Sequence, residues 1–119
     1  MATTLRTVVP MIPAGPRIRD ALTFFEERMG FTITYESEGG AGIQRDAVAF
    51  NLVENDNAEW ANNASFSISV DGLDALYEEF KDIGVRITAP EIKPWGRREF
   101  HMIVPSGVCL QFYEAEPQA

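Results

Sequence analysis

The sequence predicts an α+β fold built from paired βαβββ modules, a curved mixed sheet with its helices on the outer face. Three observations predict it. Two stretches with apolar residues at helical spacing lie half a chain apart. Each passes through a glycine into a strand-like segment. Each is also preceded by one alternating segment and followed by room for three more, which is the mark of an internal duplication.

The elements follow in order. A first strand is read in "TVVPMIP" (7–13). In "PRIRDALTFFEERMG" (16–30), Ile18, Leu22, Phe25 and Met29 recur at helical spacing, with Pro16 near the first turn and Gly30 just past the end. "MGFTITY" opens the next strand, and "AVAFNLV" (47–53) closes the first half. The segment "ENDNAEWANNA" (54–64) reads as a connector. "SFSISV" (65–70) then begins the second half. In "DGLDALYEEFKDIG" (71–84), Leu73, Leu76, Tyr77, Phe80 and Ile83 repeat the helical pattern, with Asp71 as the expected N-cap and Gly84 as the stop. "IGVRITA", "EFHMIV" and "VCLQFYE" supply the last strands. One domain over 1–119 is expected, with a first module at about 5–54, the connector at 54–64 and a second module at about 65–115.

Composition narrows the function classes. The 119 residues, 45% hydrophobic and 24% charged, suit one globular domain with a real core. No apolar run approaches a bilayer span, so no membrane segment is expected. "MATTLRTVVP" lacks the pattern of a secretory leader, and the single cysteine, Cys109, has no internal partner. Both point to a cytoplasmic location. Cys109 reads as a small strand side chain rather than a nucleophile, since no histidine closely precedes it. The formal net charge of −8 argues against nucleic acid and favours a cationic ligand.

Strand alternation separates two faces. Val48, Phe50 and Leu52, then Phe66, Ile68 and Val70, then Phe100 and Met102, then Leu110 and Phe112 make the apolar one. Opposite them stand Asn51, Ser65, Ser67, Ser69, Glu99, His101, Gln111 and Tyr113. A solvated face would carry more Lys and Glu, and a buried one Val and Leu. This mixture suits a half-wet ligand cavity.

The segments "VVPMIP…ALTFFEERMGF", "GLDALYEEF" and "PWGRREF", followed by "VCLQFYE", resemble the vicinal oxygen chelate superfamily. That superfamily holds glyoxalase I, ring-cleaving dioxygenases, fosfomycin-modifying enzymes and bleomycin resistance proteins. The last two segments resemble the bleomycin resistance branch in particular. The positions that hold metal in the enzymes fall on Pro10, Asn51, Ser65 and Gln111. Proline cannot ligate, and the rest offer only weak neutral oxygens, so neither a metal nor another cofactor is expected. Glu99 and His101, two apart on one strand, read as a hydrogen-bonding patch rather than the start of a metal site.

The resemblance implies non-catalytic binding, with a bleomycin-type glycopeptide antibiotic sequestered in the clefts of a homodimer. Such dimers exchange N-terminal strands, and Pro10 matches the hinge of the exchanged strand. Trp95 matches a stacking tryptophan, and Tyr35 falls where relatives carry an aromatic. Asn51, Ser67 and Gln111 would hydrogen-bond, Glu99 would attract cationic groups, and His101 with Tyr113 would line the wall. Trp60 reads equally as a flap or as an anchor for the connector, and Arg97 and Arg98 as partners of the chain's own carboxylates at the rim. Gly40, Ser67 and Ser69 stand where relatives can place an aromatic, which leaves room for a smaller or more polar ligand. Two alternatives stay open: a metal-dependent lyase or dioxygenase of the superfamily, and an orphan binding domain.

Overall fold

A computed structural model describes residues 2–115 and orders the strands into two sheets. The first comprises β1 (Met11–Pro13), β2 (Thr32–Ser37), β3 (Gly40–Arg45) and β4 (Val48–Val53), in the order β1-β4-β3-β2. The second comprises β5 (Ser65–Val70), β6 (Arg86–Ile87), β7 (Glu91–Ile92), β8 (Arg98–Ile103) and β9 (Cys109–Glu114). Its order is β5-β9-β8, with β6 and β7 both pairing β8. In each sheet the first strand runs parallel to the last, and the other pairs are antiparallel. The connectivity is therefore the same twice. β6 and β7 are the two pieces of one edge strand, broken around Pro90, which has no N–H to give the ladder.

The helices follow from the apolar spacing. α1 (Ile18–Thr23) continues into a π-helical turn (Phe24–Arg28), and Gly30 takes the left-handed conformation that ends it, at φ 72°. α3 (Leu73–Phe80) starts one residue later than the sequence suggests. Its N-cap is Gly72, in the left-handed conformation at φ 85° and with no side-chain cap bond, so Asp71 does not cap it. The connector contains a short helix, α2 (Ala58–Asn63), capped by the Asn57 side chain accepting from the Trp60 N–H. The first strand is also shorter than the sequence suggests. Residues 2–9 pair with no strand and are exposed, and the half-buried Pro10 accepts a single backbone bond from β4.

The apolar faces of both sheets meet α1 and α3 in one shared core. Phe50 touches the rings of Phe31 and, across to the second sheet, Phe66 at 5.6 Å, while Phe100 stacks on Phe112 at 5.1 Å. Arg45 ties the halves together. It donates to the Met29 carbonyl at 2.8 Å and to both Glu79 carboxylate oxygens on α3 at 2.6 and 3.1 Å. Because Phe50 bridges the sheets, Phe50→Ala is expected to cost about 3–5 kcal/mol in a urea unfolding experiment, in one cooperative transition. Two separate transitions would mean that the halves do not share a core.

Candidate functional site

The polar face of the first sheet carries an aromatic ring laid flat against the backbone. A register shift between Ile33 and Tyr35 bulges β2 at Thr34 and brings Tyr35 opposite Gly42 of β3. The ring passes over Gly42, and its hydroxyl donates to Asn51 Oδ1 on β4 at 2.7 Å. Only glycine permits this. A Cβ at position 42 would collide with the Tyr35 ring and sit 2.5 Å from Thr34 Oγ1. Tyr35 remains 48% exposed, so its outer face is open while its polar end is fixed.

The second sheet carries a denser arrangement. The loop from Lys93 closes into a tight turn, with the Lys93 N–H bonded to the Arg97 carbonyl and the Gly96 N–H to the Lys93 carbonyl. Gly96 turns there at φ 93°. The turn folds Trp95 and Arg97 back over β8, onto Glu99. The Glu99 carboxylate is fully buried, and three side chains donate to it. Trp95 Nε1 and Arg97 Nε reach Oε2 at 3.2 and 3.1 Å, and His101 Nε2 reaches Oε1 at 2.6 Å. An ionised carboxylate only accepts, so His101 Nε2 carries the proton of that bond. Burial alone would raise the Glu99 carboxyl, but the bonds from His101, Trp95 and Arg97, with the charge of Arg97, outweigh it and hold it below its ordinary value.

Arg97 lies across the centre of this face rather than at its rim. Its guanidinium carbon sits 3.8 Å from the centroid of the Tyr113 ring, and Nη2 donates to Ser67 Oγ at 3.4 Å. Ser67 in turn donates to Gln111 Oε1 at 3.2 Å. Register explains the assembly: Ser67 and His101 both face Gln111, and Ser69 and Glu99 both face Tyr113. Arg98 points to the other side, toward Asp74 at 2.7 Å and Glu114 at 3.8 Å.

The nine residues expected at the site therefore fall into two groups and one outlier. Tyr35 and Asn51 are joined on the first sheet. Ser67, Trp95, Glu99, His101, Gln111 and Tyr113 come together on the second, through Arg97. Among the described residues no hydrogen bond, ion pair or ring contact links the two groups. Trp60 joins neither, lying on α2 with its ring partly exposed. With Arg97 in place, Glu99 is buried and bonded by three side chains, so it organises this wall. Gly42 and the central place of Arg97 were not anticipated. A glycine inside a strand pattern and the alternate spacing of Arg97, Glu99 and His101 are the sequence signals that mark them.

The same donors speak against a metal ion. Asn51 Oδ1 accepts from Tyr35, Gln111 Oε1 accepts from Ser67, and Pro10 has no side-chain donor. This neutral set does not fit the divalent ion that the resemblance associates with the enzymes. Among the described residues no cluster of three His, Cys, Asp or Glu side chains stands ready for one. Cys109, on the same face, is a poor nucleophile. Burial pushes its thiol up, hydrogen bonds with Ser65 and Gln111 lower it in part, and the charge of Glu99 adds to the rise. A cavity of about 500 Å³ opens elsewhere, between Val48, Ile68, Leu76 and Phe80, and none of the nine residues lines it.

A sequence profile described as the Glyoxalase/Bleomycin resistance protein/Dioxygenase superfamily matches residues 14–113. The bleomycin resistance protein of Geobacillus stearothermophilus is 26% identical over 125 residues, covering 89% of this chain and 94% of the relative. Among solved structures, the bleomycin-binding protein from bleomycin-producing Streptomyces verticillus, complexed with copper(II)-bleomycin, superposes with a TM-score of 0.85 at 25% identity. That match covers 97% of this chain and all of the other. The bleomycin resistance determinant encoded on the transposon Tn5 shares the fold, with a TM-score of 0.84 at 24% identity over 95% of this chain and 100% of its own.

Glu99 generates a pH prediction. A depressed carboxyl stabilises the fold above its unfolded value, and the contribution disappears as pH falls through the folded one. Glu99→Gln is expected to lower stability by about 1–3 kcal/mol at neutral pH, with the gap to the unmodified protein closing as pH drops below the ordinary carboxylate range. A gap independent of pH would place the effect in packing. On the first sheet, Gly42→Ala is expected to break the Tyr35–Asn51 bond, read as a faster-flipping Tyr35 ring by NMR, while the fold persists.

Proposed function

Because the chain belongs to the Glyoxalase/Bleomycin resistance protein/Dioxygenase superfamily, we propose that it binds a bleomycin-type glycopeptide antibiotic and sequesters it without catalysis. The observation that carries this reading is a pair of tethered aromatic rings. Tyr35 is held at its hydroxyl and Trp95 at its indole N–H, and each leaves its flat surface open, at 48% and 60% exposure. A ring fixed at its polar edge is a ready stacking platform, because little freedom remains to be lost on binding.

The two platforms belong to different sheets and no contact joins them within one chain, so each presents half of a cleft. A two-fold dimer completes it when the first-sheet face of one protomer meets the second-sheet face of the other. The N-terminal arm supports that assembly. Leu5 and Val8 are exposed, at 101% and 83%, and residues 2–9 join no strand of their own chain. The Pro10 carbonyl accepts from the Asn51 N–H at 2.9 Å, which fixes the point where the arm departs. Proline there keeps the departing segment extended, as a hinge for exchange with the partner requires.

The net charge of −8 draws a cationic drug toward the molecule from a distance, and aromatic stacking and hydrogen bonds then hold it. One platform is worth roughly 1–3 kcal/mol. Titration with metal-free and copper-loaded bleomycin, followed by tryptophan fluorescence, is expected to show saturable quenching. Trp95→Ala is expected to weaken binding by about ten- to a hundred-fold while leaving the dimer intact in sedimentation. No quenching at hundred-micromolar drug would remove the antibiotic from this reading, and a monomer in sedimentation would remove the shared cleft.

A further inference from the structure

We propose that Arg97 is an internal occupant of a cation subsite, which a ligand guanidinium or alkylammonium group enters by displacing it. The proposal rests on the binding role assigned above to the same face and adds what that face selects. The subsite is defined by the three things Arg97 touches: a buried carboxylate oxygen at 3.1 Å, a serine hydroxyl at 3.4 Å and the Tyr113 ring face at 3.8 Å. A carboxylate, a hydroxyl acceptor and an aromatic face are the complement of a planar or compact organic cation.

Several features make the occupant removable. About a third of the Arg97 side chain is exposed, so its path out leads directly to water. Its bond to Ser67 is long, and it hangs from the tight turn closed between Lys93 and Arg97. Departure does not orphan Glu99, because Trp95 and His101 continue to donate to it. The incoming cation takes over the vacated side of Oε2. Ser67 keeps its bond to Gln111 throughout.

An internal competitor has a consequence for specificity. It is present at a fixed effective concentration, so a free cation alone competes poorly. A ligand succeeds when its cation comes with a flat group that stacks on Trp95, the ring next to the same carboxylate. Arg97 thereby rejects simple amines and guanidines while admitting molecules that offer both parts.

The test compares the unmodified protein with Arg97→Ala, using methylguanidinium chloride against sodium chloride at equal ionic strength. Melting temperature and tryptophan fluorescence are the readouts. Saturable methylguanidinium binding is expected in Arg97→Ala and at least about ten-fold weaker in the unmodified protein. It is expected to be lost again in Arg97→Ala/Tyr113→Leu. Should Arg97→Ala fail to fold, Arg97→Gln, which retains a donor for Glu99, takes its place. Absence of binding in the single variants, or equal binding in variant and unmodified protein, overturns the proposal. Metal-free bleomycin is then titrated into both, and about ten-fold tighter binding to Arg97→Ala is expected. Weaker binding there would make Arg97 a ligand contact and overturn the proposal. If neither protein binds bleomycin but methylguanidinium fills the variant, the antibiotic reading falls and the cation subsite stands.

Discussion

One buried carboxylate organises the second-sheet wall. Glu99 lies beneath the surface on the polar side of β8, where a lone charge would be expensive to hold. Three donors make it tolerable, and each is thereby placed. Trp95 is held by its indole N–H, Arg97 by Nε, and His101 by Nε2. The orientation of the exposed tryptophan and the position of the central guanidinium are both consequences of satisfying that charge. A loop that would otherwise be free to sample many conformations is drawn down onto the sheet. The first sheet reaches a similar end by a different route, with a missing Cβ at Gly42 and a bond to Asn51 laying Tyr35 flat.

The repeated βαβββ topology determines where these two faces can meet. Each sheet turns its apolar side to the shared core, and Phe50 and Phe66 link the two in the interior. The polar sides consequently point outward. Two half-sites on separate outward faces suit assembly with a second copy better than closure within one chain. In the proposed dimer, the exposed arm before Pro10, with Leu5 and Val8 uncovered in its own chain, is the element available to exchange.

Much of the fold was legible because hydrophobic spacing is a local signal. Ile18, Leu22, Phe25 and Met29 on one helix, and Leu73, Leu76 and Phe80 on the other, follow directly from periodicity. So does the alternation that buries Phe100, Met102, Leu110 and Phe112. The helix start at Gly72 was not legible, because aspartate is the better capping side chain and only the left-handed backbone decides between them. The split of one strand into β6 and β7 was visible only as Pro90. The candidate site was legible by face but not by role. Alternation placed Ser67, Glu99, His101, Gln111 and Tyr113 on one side, yet it carries no information about depth. Glu99 was therefore expected to be open to a ligand, whereas a turn closed by Gly96 covers it. Arg97 was expected at the rim for the same reason. Its contact with Tyr113 crosses from one strand to another and depends on a loop that folds back, which no spacing encodes.

The arrangement requires that an ionised, buried Glu99 hold the Trp95 indole in place. It is tested most directly by following the Glu99 carboxyl carbon and the Trp95 Nε1–H together by NMR as pH is lowered. The Glu99 carboxyl is expected to stay ionised below its ordinary value of 4.5, with the indole N–H protected until that group protonates and released in step with it. A carboxyl that titrates at or above that value, or an indole N–H already exchanging freely at neutral pH, would contradict it.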